Sequence, residues 1–226
     1  VTRLLTMHLI RAVPWWPFAG AVVLALVVQA PVFRASVLRT EADPRMTVIG
    51  LLLAAAVLGA AAGFALPDLM TFTVITPVAR WRRQWLRLAV LLVPATLIWV
   101  LLYAGARIVV GPAAIWPDGF VILQAAVCGL LPVAAAAIGA RYRVESIGGL
   151  FGPTVQGVAM VVSLFFTERS SPWPFPVTAE WTTAQRCWPF ALVLILAMLL
   201  LANREMPPRP IGFRRAAGRP LSPGVA

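Results

Sequence analysis

PDLMTFTVITPVARWRRQWLR, residues 67–87, is the longest polar interruption between two hydrophobic blocks of this 226-residue chain. It holds four arginines (Arg80, Arg82, Arg83, Arg87), one carboxylate (Asp68) and two tryptophans (Trp81, Trp85), and both flanking segments are apolar enough to enter a bilayer. The stretch therefore reads as a loop between two membrane spans. Its arginines suit it to the cytoplasmic face, where it receives force or anchors a partner.

The composition agrees with that reading. Hydrophobic residues make up 61% of the chain and charged residues only 12%, and the mean hydropathy is +0.88, far from the usage of a soluble globular domain. The fold class that follows is an all-α integral membrane protein of about six transmembrane helices, multi-pass in the cell membrane. All nineteen basic residues are arginine and the net charge is +11. These arginines are spread over short loops, where they set orientation and meet anionic headgroups. No basic run interleaved with aromatics is long enough to track a nucleic acid, so none is expected as a partner. Cys128 and Cys187 stand in or beside apolar segments without a CxxC pattern, as lone thiols. The N-terminus lacks a signal-peptide cleavage pattern, and its apolar stretch is long enough to stay as a span.

Working outward, spans are predicted at 15–33, 47–66, 88–106, 119–140, 147–166 and 185–202, all within one transmembrane domain covering residues 1–205. Residues 2–13 mix leucines with Arg3, His8 and Arg11, which suits an interfacial helix or a plain solvated start to the first span. The second span carries Gly50, Gly59 and Gly63, small residues that let helix backbones approach, so it is expected inside the bundle. Pro94 is expected to bend the third span. The fifth span holds Gly148, Gly149, Gly152, Pro153 and Gly157, a density of helix breakers that predicts a broken or mobile helix. Residues 168–185, with Trp173, Pro174, Phe175, Pro176 and Trp181, fit either an inserted interfacial hairpin or a simple connection. Residues 206–226 form a basic, proline-rich tail that cannot bury a core.

Counted over alternating segments, thirteen arginines fall with the two termini and the second and fourth loops, against six with the other loops. The positive-inside rule then places both termini and residues 67–87 in the cytoplasm.

Catalytic chemistry is hard to build from what remains. His8 is the only histidine, no span holds a carboxylate at its centre, and the absence of lysine rules out a P-loop. No enzyme activity, catalytic residue or metal site is expected, and ATP, if it drives the protein, must bind elsewhere. The missing midplane carboxylate also weighs against a proton-coupled carrier. Polar residues inside spans include Gln29, Gln124, Thr154 and Gln156. Buried glutamines usually bond helix to helix, but Gln124, Thr154 and Gln156 are candidates for a translocation path.

The layout of amphipathic start, six spans, basic inner loop and aromatic segment before the last span resembles the membrane subunits of ABC exporters whose ATPase is a separate chain. Ala65-Leu66-Pro67-Asp68, Thr76-Pro77, Arg80-Trp81-Arg82-Arg83 and Leu86-Arg87-Leu88 look like the second-to-third-span junction of small actinobacterial ABC permeases. Gln185-Arg186 and Ala202-Asn203-Arg204-Glu205 are similar to that group's last span. The resemblance implies a coupling helix in residues 67–87 that docks on the ATPase, with Asp68, Arg80, Trp81, Arg82, Arg83 and Arg87 as its contact residues. It also implies a separate ATPase subunit holding ATP and Mg, a second permease copy or paralogue, and export of a hydrophobic or amphipathic compound. Independently, helical spacing over residues 78–88 puts Trp81, Trp85 and Leu88 on one side and Arg80, Arg83 and Arg87 on an adjacent one. A simple positive-inside anchor has the same composition, and a membrane scaffold or assembly factor has the same topology.

Overall fold

A computed structural model describes residues 13, 15–38, 40, 42–66, 80–111, 116–142, 149–163, 165–166 and 185–204. These residues form six α-helices and no strand: α1 Trp15–Leu38, α2 Pro44–Gly63, α3 Arg80–Val110, α4 Asp118–Tyr142, α5 Phe151–Ser163 and α6 Cys187–Asn203. The first four are long and apolar enough to cross a membrane. The interfacial segment (all but Val13), the aromatic segment before α6 (all but Gln185) and the tail at 206–226 lie outside the described residues.

Local chemistry sets several helix ends. Asp43 caps α2 by accepting the Arg45 N–H at 2.9 Å, and Pro44 follows at the first helical position, where a missing N–H costs nothing. Gly111 ends α3 with φ of 59°, in the left-handed region that favours glycine. Pro117 supplies the carbonyl that accepts the Phe120 and Val121 N–H groups at the start of α4.

Helix lengths depart from the expected spans in three places. α1 runs on to Leu38, so Arg34 lies within the helix rather than opening a loop. α3 begins at Arg80, so the basic residues 80–87 are a direct extension of the third span and not a separate loop helix. At 31 residues and 1.5 Å each, α3 is about 46 Å long and outruns a hydrocarbon core of about 30 Å. α5 has only 13 residues, about 20 Å, against the twenty residues predicted there. Gly152, Pro153 and Gly157 lie within it, and Pro153 sits in its first turn, where proline is tolerated. The prolines of α3 (Pro94) and α4 (Pro132) are contained within continuous helices.

The helices alternate in direction. Trp99 of α3 reaches Leu51 of α2, Arg107 of α3 meets Asp118 at the start of α4, and Arg141 at the end of α4 donates to the Leu201 carbonyl near the end of α6. α2, α4 and α6 thus run one way and α1, α3 and α5 the other.

Two helices form the centre, α2 and α4. They touch backbone to backbone: a methyl built on Gly59 would sit 1.9 Å from the Gly129 carbonyl oxygen, and one on Gly63 would sit 2.9 Å from the Ala136 Cβ. The second span is buried inside the bundle as its small residues imply, and its main partner is the fourth helix. α1 covers the opposite side of α2, where Gln29 lies over Gly50, nine residues and so about half a turn around the helix from Gly59. α5 reaches α4 through Gly152, whose added methyl would meet the Pro132 oxygen at 2.7 Å.

Glycine-to-alanine substitutions separate contact from propensity. Gly59→Ala is expected to lower thermal stability in detergent by more than the about 1–3 kcal/mol of ordinary overpacking, because the obstructing atom belongs to backbone. Gly157→Ala, with nothing within 4 Å, is expected to be neutral or to stabilise by about 0.5–1 kcal/mol.

Candidate functional site: an apolar groove beneath an aromatic and ionic rim

α3 and α4 do not pack along their lengths, although they are consecutive and tied at one end. Between them lies a cavity of about 360 Å³. Its floor is the small-residue face of α2 at Ala55, Leu58 and Gly59. Thr96 and Trp99 of α3 form one wall, and Ile122 and Ala126 of α4 form the other. Thr96 and Ile122 are exposed, so the groove opens on the outside of the bundle.

The α3 wall is held rigidly. The Trp99 indole N–H donates to the Leu51 carbonyl of α2 at 2.9 Å. Tyr103, one turn further on, stacks on Trp99 with centroids 5.3 Å apart and planes 17° from parallel. Tyr103 donates its hydroxyl to the Asp118 carboxylate, closing the gap between α3 and α4. One more turn on, Arg107 pairs with the same carboxylate, Nε to Oδ1 at 3.0 Å and Nη2 to Oδ2 at 3.2 Å. The Arg107 guanidinium also lies 5.5 Å from the ring centroid of Trp116, which is buried. The sequence signal for this ladder is the spacing of Trp99, Tyr103 and Arg107 at i, i+4 and i+8, which puts all three on one face of α3.

The groove itself is nearly free of polar groups. Thr96 is the only lining residue with a side-chain hydroxyl, and it donates to its own helix at the Leu92 carbonyl, 2.8 Å away.

The sequence-derived candidates fall elsewhere. Asp68 lies outside the described residues. Arg80, Trp81, Arg82 and Arg83 lie on the first turn of α3; Arg82 is exposed, and the side chains of the other three are outside the described part. Arg87 is buried at the same end. Gln124 and Gln156 are both buried, whereas Thr154 is exposed on α5. Gln156 lies one turn along α5 from Gly152, which packs against Pro132 and Ala136 of α4. Neither glutamine lines the groove. Cys128 and Cys187 are free thiols, one buried and one exposed. Among the described residues no group of three or more metal-ligating side chains comes together.

The fold defines the chain as an α-helical, membrane-embedded protein. A comparison with family models, with characterised proteins and with solved structures finds no match.

Magnitudes rank the contacts of the rim. The Arg107 and Asp118 side chains are 33% and 52% exposed. A double-mutant cycle on this pair, read by thermal unfolding, should give a small coupling that shrinks as salt is added. Trp99→Phe removes a part-buried hydrogen bond and should cost about 1 kcal/mol with little salt dependence.

Proposed function

We propose that this chain is the permease subunit of an ABC transporter that exports a hydrophobic or amphipathic compound, driven by a separate ATP-binding subunit. Under this reading six helices cross the cell membrane, with α5 and α6 completed by flanking residues, and both termini lie in the cytoplasm. A second permease copy or paralogue completes the transporter. ATP and Mg are held by the partner ATPase, and this chain supplies no catalytic residue.

One observation carries the reading: α3 is about 46 Å long and its surplus is basic, with Arg80, Arg82 and Arg83 on its first turn and the buried Arg87 one turn on. The thirteen-to-six arginine bias favours the cytoplasm for that end. Arginine forks there suit the carboxylates of a protein partner. Because the basic turns are continuous with the third span, a push on them would be carried along α3 toward Thr96 and Trp99, past Pro94. Residues 67–79 would complete the docking segment, with Asp68 at its start.

The scaffold reading keeps one observation in its favour, the lack of polar lining in the groove. Ala126→Phe, which narrows the groove, separates the two, since a scaffold tolerates it and transport through the groove does not.

The docking test uses the full chain with the ATPase encoded beside it. Co-purification and a rise in ATPase rate are expected, with Arg82→Glu/Arg83→Glu abolishing the rise while insertion of the chain is retained. Loss of insertion, or no effect on the ATPase in either form, sinks the coupling role.

A further inference from the structure

We infer that the groove between α3 and α4 is a binding site for a single-chain amphiphile, whose hydrocarbon lies against Ala55, Gly59 and Trp99 and whose zwitterionic headgroup rests on the Arg107–Asp118 pair. This names the substrate class for the export reading above, but the binding itself does not depend on an ATPase.

Elimination narrows the occupant. Water needs two to four polar partners to stay in a cavity, and the one hydroxyl in the lining is already donated to Leu92. A helix of a second copy is about 10–12 Å across with its side chains, too wide for a cavity of about 360 Å³. That volume is near the bottom of the range of about 300–1,000 Å³ for ligand pockets, so it holds one hydrocarbon chain, and the second chain of a bilayer phospholipid would have to stay outside it. What remains is a slender apolar body. The stretch of α3 that lines the groove, Leu92 to Val100, gives it a length of about 12 Å before the rim begins.

The rim then selects the head. Trp99 is a groove wall, and Arg107 stands two turns above it, so a chain lying along Trp99 brings its head to Arg107 and Asp118. The two carry opposite charges in contact and both are part-exposed. A lone anion or cation would meet one attraction and one repulsion, whereas a zwitterion matches both signs. The site is also built in advance. The indole bonded to Leu51 and stacked on Tyr103 keeps its position without a ligand, and the floor is fixed by the Gly59 contact with Gly129. Preorganisation of this kind lowers the ordering cost of binding.

The test places the full chain, alone, in nanodiscs of two-chain phosphatidylcholine with a trace of lysophosphatidylcholine carrying a photoreactive group in its chain. Labelling mapped by mass spectrometry should fall on groove residues of α2, α3 and α4. Unlabelled lysophosphatidylcholine should compete it away, while lysophosphatidic acid should compete at least several-fold less well. Ala126→Phe, which fills the groove, should reduce labelling about tenfold, and Leu101→Phe, on the exposed side of α3, should leave it unchanged. Labelling spread evenly over the exposed faces of α1 and α6, or competed equally by added two-chain lipid, would overturn the proposal whether or not the variants fold. Equal competition by the anionic lysolipid would overturn the zwitterionic head. The ATPase assay above fails or succeeds separately, so a failure here is not mistaken for a failure of the transporter reading.

Discussion

The contact on which this bundle depends is the meeting of Gly59 with the Gly129 carbonyl, where two helix backbones come as near as side-chain-free carbons permit. In a bilayer the hydrophobic effect does not favour helix against helix over helix against lipid, so close packing and hydrogen bonds must hold the spans together. Small residues make that possible here. Gly59 and Gly63 of α2 meet Gly129 and Ala136 of α4, and Gly152 brings α5 onto the same stretch of α4 at Pro132. α1 closes the other side of α2, and α6 lays a stripe of Trp188, Ile195 and Leu199 into the core. Arg141 then secures the far end of α6 by donating to its last carbonyls, a use of arginine at a helix C-terminus that also suits the helix dipole.

The groove follows from the same constraint. The residues that let α2 and α4 approach are too small to fill the space on their α3 side, and α3 is held away from α4 except at the rim. An accidental gap of this size would collapse or be filled by a rotamer change. This one persists because its wall is fixed by a hydrogen bond across to α2 and by a stacked pair, while further along α3 a phenol and a guanidinium sharing one carboxylate tie it to α4. The one hydroxyl in the lining, that of Thr96, is committed to the Leu92 carbonyl, which leaves the interior apolar.

The buried glutamines show where reading residues one at a time fails. Gln124 and Gln156 stand out in the sequence as polar groups in apolar spans, yet neither lines the groove. Gln29 is buried too, on the far side of α2 from α4. Trp99, Tyr103 and Asp118, by contrast, are ordinary membrane-interface residues in a list and became a site only when two helices and a carbonyl of a third met around them. The spacing of Trp99, Tyr103 and Arg107 was the one hint in the sequence.

Composition and hydrophobic run length alone determined that this chain is helical and membrane-embedded, because a backbone in lipid must satisfy its own hydrogen bonds and long apolar segments do so as helices. The glycines of the second span likewise announced a buried helix, since close approach needs the absence of a side chain and that is a property of single residues. Tertiary structure decided which helix fills that approach, that the basic residues 80–87 extend a span instead of forming a loop, and that an apolar groove lies under a charged rim. Those features depend on the rotation and offset of one helix against another, which are set by contacts between residues such as Gly59 and Gly129 that lie seventy positions apart, and no local pattern encodes them.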